Sequence, residues 1–187
     1  MTNFLNGGRI TRFPGEERMI VTSRMMKGSE YIAHPEMSAR AIADAVLERS
    51  GDDARLYVVN FANPDMIGHT GDLGATKKAI SITDRCLEAL IPKLQKDSEA
   101  AVIITADHGN AEEVIDPLTG AGDTQHSTRN VPVIFIGKGL ELEVLQEKSL
   151  ESMAQEDPIG TLVDIAPSIL HLLGVEKPDE MTGSRLI

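Results

Sequence analysis

Apolar residues recur along this chain in two rhythms, and the alternation between them predicts its elements. Between Ser38 and Arg49, Ala41, Ile42, Ala45 and Val46 fall at helical spacing, with Ser38 after Pro35 as the expected N-cap. The run Leu56-Tyr57-Val58-Val59-Asn60-Phe61 is short and β-branched, the pattern of a strand buried on both faces of a parallel sheet. Past Gly68 and Gly71, the residues Ala79, Ile80, Leu87, Ala89, Leu90 and Leu94 keep close to a helical period, which predicts a long amphipathic helix over 73–96. Ala101 to Thr105 and Val131 to Ile136 predict two further strands; Pro132 lies near the start of the second, where a missing donor is tolerated. A closing helix is expected over 159–173, stopped by Gly174. Strands separated by helices imply right-handed crossovers, so the expected fold class is α/β, a mostly parallel central sheet flanked by helices.

Residues 1–35 lack this periodicity. They are rich in Gly, Pro and charge, with turn signals at Asn6-Gly7-Gly8 and Phe13-Pro14-Gly15, and read as loop with short strands connecting into a domain over 36–187. A total of 187 residues suits one domain with a real core. With 29 acidic against 18 basic residues the formal charge is −11, which would repel nucleic acid or an anionic membrane surface. Aromatic residues are 3% of the chain and tryptophan is absent, so platforms for base stacking are lacking. The single cysteine, Cys86, excludes an intrachain disulfide and fits a reducing cytoplasm. Neither a long apolar span nor a basic-then-apolar leader is visible, so a soluble chain is expected.

Three polar segments follow or neighbour the apolar runs, where α/β proteins place their chemistry. In the first, Asp65 and His69 are four apart and share a face if the backbone is helical; a carboxylate with an imidazole is a common half-shell for a divalent metal. A structural alternative has Asp65 capping the next helix and His69 packing against it. In the second, Asp107 and His108 are adjacent and reach one centre only from a turn, for which Gly109 supplies the backbone freedom. There the alternative is a capping box, Asn110 with Glu113, which leaves Glu112 and Glu113 off the ligand set. In the third, His126 sits in the polar loop Asp123-Thr124-Gln125-His126-Ser127-Thr128 before the last strand. Three of five histidines thus fall at strand ends beside aspartates, whereas His34 and His171 read as ordinary surface or helix residues.

The segment Asn60-Phe61-Ala62-Asn63-Pro64-Asp65-Met66-Ile67-Gly68-His69-Thr70-Gly71, together with Thr105-Ala106-Asp107-His108-Gly109-Asn110-Ala111-Glu112-Glu113, resembles the cofactor-independent (2,3-bisphosphoglycerate-independent) phosphoglycerate mutases. Phe4-Leu5-Asn6-Gly7-Gly8, Phe13-Pro14-Gly15-Glu16, Pro35-Glu36-Met37-Ser38-Ala39, Asp164-Ile165-Ala166-Pro167 and Met181-Thr182-Gly183 match the same family's patterns. The Asp-His-Gly element alone indicates only the wider alkaline-phosphatase-like superfamily, which includes phosphopentomutases, phosphatases and sulfatases. The resemblance implies the C-terminal part of an alkaline-phosphatase-like domain, incomplete relative to the family's. It further implies two divalent ions, manganese or else magnesium, with Asp65, His69 and His126 on one and Asp107 with His108 on the other. The implied reaction is the glycolytic conversion of 3-phosphoglycerate to 2-phosphoglycerate through a phosphoserine, in a cytoplasmic enzyme that is a monomer when complete.

Two departures accompany the resemblance. The family's serine nucleophile, a further metal-binding aspartate, the transferase domain with its arginines and a lysine before the Thr2 segment have no counterpart here. No catalytic nucleophile is therefore assigned, Ser127 being only the nearest serine by sequence, and the isolated chain is expected to be inactive without an N-terminal half. A catalytically silent metal-binding or interaction domain is one alternative, and a phosphopentomutase or phosphatase-like enzyme of the same superfamily is another. The charged stretch 140–157 is expected to be a surface insertion.

Overall fold

A computed structural model describes residues 6–97, 100–140, 152 and 155–187. Helices α1 (Gly28–Ala33), α2 (Ala39–Arg49), α3 (Asn63–Gly68) and α4 (Leu73–Leu94) come first, α4 running on into a 3-10 turn over Gln95–Asp97. Strands β1 (Val102–Thr105) and β2 (Val133–Ile136) follow, then a 3-10 turn over Leu162–Asp164 that leads into α5 (Ile165–Leu172). The class is α/β, helices with a small sheet.

The long helix α4 is the platform. Its last turns carry Cys86 and Leu90, which bury against Ala39 and Ala43 of α2, with Val46, Leu47, Phe61 and Ile82 packed around them. Its first turns carry Ala75 and Ala79, which close on Ile67 of α3. Alanines four residues apart present a smooth strip, so the neighbouring helices approach closely. Asn63 fastens the arrangement: at 2% exposure, its Nδ2 donates to the carbonyls of Pro35 (3.3 Å) and Ala79 (3.0 Å), and its Oδ1 accepts from Thr83 (3.2 Å). Asp72 then caps α4 by accepting from the Ala75 N–H at 2.7 Å. Gly71, at φ +69°, makes the turn between α3 and α4 and lies against Gly122, so close that a Cβ on either would press on the other's backbone.

The sheet departs from the expected direction. Strands β1 and β2 pair antiparallel, Val102 opposite Ile136 and Thr105 opposite Val133, whereas a mostly parallel sheet was expected. The reason lies in the connection. Residues 106–132 form no helix and fold back through the bridges Ile115 to Gly122 and Gly109 to Ser127, so the chain returns beside β1 without the crossover that parallel pairing requires. The run 56–61 is unpaired, and Leu56, Tyr57, Val58 and Val59 stay substantially exposed. Apolar β-branched character favours extended chain, but a strand needs a neighbour, and none lies beside it among the described residues.

The ends differ in detail as well. In 6–35 the expected turns form, with Gly7, Gly8 and Gly15 all at positive φ, but the regular element there is α1 rather than short strands. Glu16 ties these turns together through Arg18, the Phe13 N–H and Asn6, and the Arg18 hydrogen bond leads in pulling its carboxyl down to about 2. Ser38 precedes α2 as expected, yet its hydroxyl meets Ser23 Oγ at 2.8 Å instead of capping the helix. The closing helix divides at Asp164, whose carboxylate accepts from the N–H groups of Thr161 and Ser184, both at 2.7 Å. The stretch 140–157 falls largely outside the described residues.

Ile67 is fully buried between α3 and α4, directly beneath the segment that bears Asp65 and His69. Ile67→Ala is expected to lower unfolding free energy by about 2–5 kcal/mol, read by urea denaturation with circular dichroism.

Candidate metal centre

The two helical turns of α3 set the first pair. Asp65 lies inside the helix and His69 at its C-cap, still in helical conformation, so spacing by four stacks the side chains. His69 Nε2 is 3.3 Å from Asp65 Oδ1. The other imidazole nitrogen, Nδ1, donates to the Thr124 carbonyl at 2.8 Å; a carbonyl can only accept, so in the neutral imidazole the proton sits on Nδ1 and the lone pair on Nε2. Capping of the next helix falls to Asp72, not Asp65.

The loop between β1 and β2 brings the rest. Docking of Gly122 on Gly71 and the bridge from Ser127 to Gly109 lay this loop across the end of α3. His126 Nε2 then stands 3.1 Å from His69 Nε2 and 3.3 Å from Asp65 Oδ1. One carboxylate oxygen and two imidazole nitrogens thus form a triangle with edges of 3.1–3.3 Å. Donors bound to one divalent ion at about 2.1 Å stand roughly 3.0 Å apart in an octahedron and 3.4 Å in a tetrahedron, so the residues present fit such an ion.

His108 stacks on His126, ring centroids 3.8 Å apart and planes 21° from parallel. It joins Asp65 and His126 in a wider set whose donor atoms lie within 4.8 Å of one another. The two sets share Asp65 and His126. The tighter one suits a single ion better, because its edges already match the spacing that one ion imposes. Asp107 reaches only its neighbour, Oδ1 to His108 Nε2 at 3.7 Å, and its side chain is 91% exposed. All the expected residues therefore border one region, but Asp107 stands at its rim.

The capping box expected at Asn110 and Glu113 does not form, since the chain after Asn110 makes a turn and no helix. Glu113 instead pairs with Arg129 at 3.1 Å. Glu112 accepts from the Asn110 N–H at 2.9 Å and from the Ser127 hydroxyl. Burial pushes the Glu112 carboxyl up, but the hydrogen bonds from Ser127 and from backbone N–H groups outweigh it and hold the group below its ordinary value. Gly109 has no room for a Cβ, because Ser127 Oγ and Glu112 Oε1 occupy that space. Sequence reasoning missed this clasp; a serine after His126 and a glutamate in a presumed cap gave no local sign of meeting.

Such a cluster, where a short helix meets a loop on a helical platform, is one that could hold a metal ion in a protein of the α/β class. Residues 1–177 match the metalloenzyme superfamily, and the chain belongs to that superfamily. Within it, the chain is similar to 2,3-bisphosphoglycerate-independent phosphoglycerate mutases. It is 44% identical over 188 residues to that of Coxiella burnetii (strain Dugway 5J108-111), covering 100% of this chain and 33% of the relative. It is 42% identical over 187 residues to that of Roseobacter denitrificans, covering 100% and 34%. A crystal structure of Leishmania mexicana phosphoglycerate mutase at low cobalt concentration superposes with a TM-score of 0.76 at 28% identity, over 98% of this chain and 34% of that one. The chain thus spans about a third of the length of the relatives it matches.

The lowered Glu112 carboxyl makes the clasp sensitive to acid. A depressed folded-state pKa contributes stability above the unfolded value of 4.5, and that contribution is lost as pH falls through the lower folded value. Denaturation midpoints followed from neutral pH down to about 3 should fall more steeply for the native chain than for Glu112→Gln. Equal slopes would contradict the clasp.

Proposed function

We propose that this chain is the C-terminal, metal-binding part of a glycolytic phosphoglycerate mutase of the 2,3-bisphosphoglycerate-independent kind. Residues 1–35 lead into the domain and 36–187 form its metal-binding portion. The observation that carries the reading is the triangle of Asp65, His69 and His126, set in a chain that resembles these mutases along its whole length. In this reading those three residues hold one divalent ion, while Asp107 and His108 offer donors to a second, manganese being favoured over magnesium. Bound there, the ions supply positive charge that neutralises phosphoryl oxygens and lowers the pKa of an attacking hydroxyl. That charge also explains how a chain of net charge −11 accepts an anionic substrate.

The chain's own residues aim and space the donors. His69 keeps Nε2 free by giving its Nδ1 proton to Thr124, and His108 buttresses His126 by stacking. Ser127 is occupied as a clasp on Glu112, which suits a structural hydroxyl better than a nucleophile. The phosphoryl-carrying serine, the transferase domain and the substrate arginines are assigned to an N-terminal part. The setting is the cytoplasm, with a monomer once both parts are joined and no role for nucleic acid or membrane; no described helix is long and apolar enough to cross a membrane.

Mixing the chain with a separately made N-terminal part and following 3-phosphoglycerate by phosphorus NMR tests the activity. Formation of 2-phosphoglycerate only in the mixture supports a mutase, and silence from a folded complex favours a non-catalytic metal-binding domain. Calorimetric titration tests the two-ion assignment. His69→Ala and His126→Ala should each weaken manganese binding to this chain by at least about tenfold, more than His108→Ala does. A larger loss for His108→Ala than for His69→Ala would transfer the ion to the wider set with His108, since His126 belongs to both sets.

A further inference from the structure

The carboxylate of Asp65 is the only anionic corner of the triangle, and its direction is set from outside. Asn110, 3% exposed, donates from Nδ2 to Asp65 Oδ1 at 2.7 Å and to the Asp65 carbonyl at 3.3 Å. That Oδ1 is the same atom that lies 3.3 Å from both His69 and His126. One lone pair of the oxygen is thus engaged by the amide, and the other is left toward the imidazoles. The amide cannot turn over, because its own oxygen would then face the carboxylate.

The far end of the same side chain is bare. Asn110 Oδ1 is buried with no hydrogen-bond partner among the described residues, packed against Gly68 where a Cβ would overlap it and stand 2.9 Å from Cγ. A buried carbonyl left unpaired destabilises the fold, so its persistence calls for a reason outside folding. Gly68 is the last residue of α3 and has no positive φ, so backbone strain does not account for the glycine either. Both oddities have one explanation: a side chain is excluded at Gly68 so that Asn110 can sit where its N–H reaches Asp65. The Asn110 backbone N–H in turn binds Glu112, which holds Ser127 beside His126, so one residue bonds directly to the Asp65 corner and is linked through Glu112 to the His126 segment.

We infer that Asn110 is a positioning residue, aiming Asp65 Oδ1 at the point shared with His69 and His126, and that Gly68 is glycine to admit it. The inference rests on the metal reading above. Asn110→Leu preserves the shape, removes the donor and removes the unpaired oxygen. Gly68→Ala leaves Asn110 chemically intact but displaces it, and alanine does not disfavour the helix.

Manganese affinity of this chain, by calorimetry and by the electron paramagnetic resonance of free ion, is read alongside the thermal midpoint. Each variant should bind manganese about tenfold or more weaker while keeping a cooperative thermal transition, and the double variant should lose no more than either single one. A role confined to folding predicts the opposite, a lowered midpoint with unchanged affinity, and that result overturns the inference. So do losses that multiply in the double variant. Should Asn110→Leu not fold, Gly68→Ala alone decides by the same criterion. Failure of the native chain to bind manganese at all would overturn the metal reading and this inference with it; native binding with unaltered variants would overturn only the inference.

Discussion

Three segments distant in sequence close on one oxygen atom, Asp65 Oδ1, and the candidate centre exists because they do. The bonds that close them are polar and few: Asn110 to Asp65, His69 to Thr124, and Ser127 to Glu112. Apolar burial contributes little to this loop, where Val114 is the one fully buried hydrophobic residue among those described. Geometry at the centre and folding of the loop over 106–132 are therefore the same problem. Weakening any of the three bonds moves a donor, and a ligand that draws the donors together tightens the bonds.

Rigidity comes from below. Helix α3 is too short to hold itself in water, and its stability is tertiary: Ile67 buries under it, and Asn63 makes three hydrogen bonds that lock it to α4 and to the Pro35 turn. The pair Asp65 and His69 therefore rides on a fixed base, whereas His126 rides on a loop. This asymmetry explains why the glycine contact between residues 71 and 122 matters, since it is the place where loop meets base. A Cβ at either position would stand 3.0–3.2 Å from the other's backbone, so this junction has no slack for a side chain.

How much of this could be read from the amino acids follows from the range of the forces involved. Helices α2 and α4 and both strands were legible, because apolar periodicity records which face is buried. The Asp65 and His69 pair was legible too, since helical spacing is a local rule. Strand direction was not: it depends on the connection, and residues 106–132 carry no pattern that distinguishes a folded-back loop from a crossover. The run 56–61 has the composition of a strand, but pairing is a property of two segments. Asn110 misled for a related reason. Its local context, three residues before Glu113, looks like a cap, and its partner is Asp65, 45 positions away in the chain.

The openness of the triangle bears on what kind of metal site it would be. A site that serves the fold is closed by four protein donors, and a site that serves a reaction keeps positions free. Here three donors converge within 3.3 Å, and a third imidazole, His108, stands behind His126 in a stack rather than completing the set. The side chains of His69 and His126 are 37% and 48% exposed, so the free side of the triangle faces outward. An exposed triangle, its carboxylate held by an amide whose oxygen has no partner among the described residues, keeps three donors available to a ligand that arrives from solution.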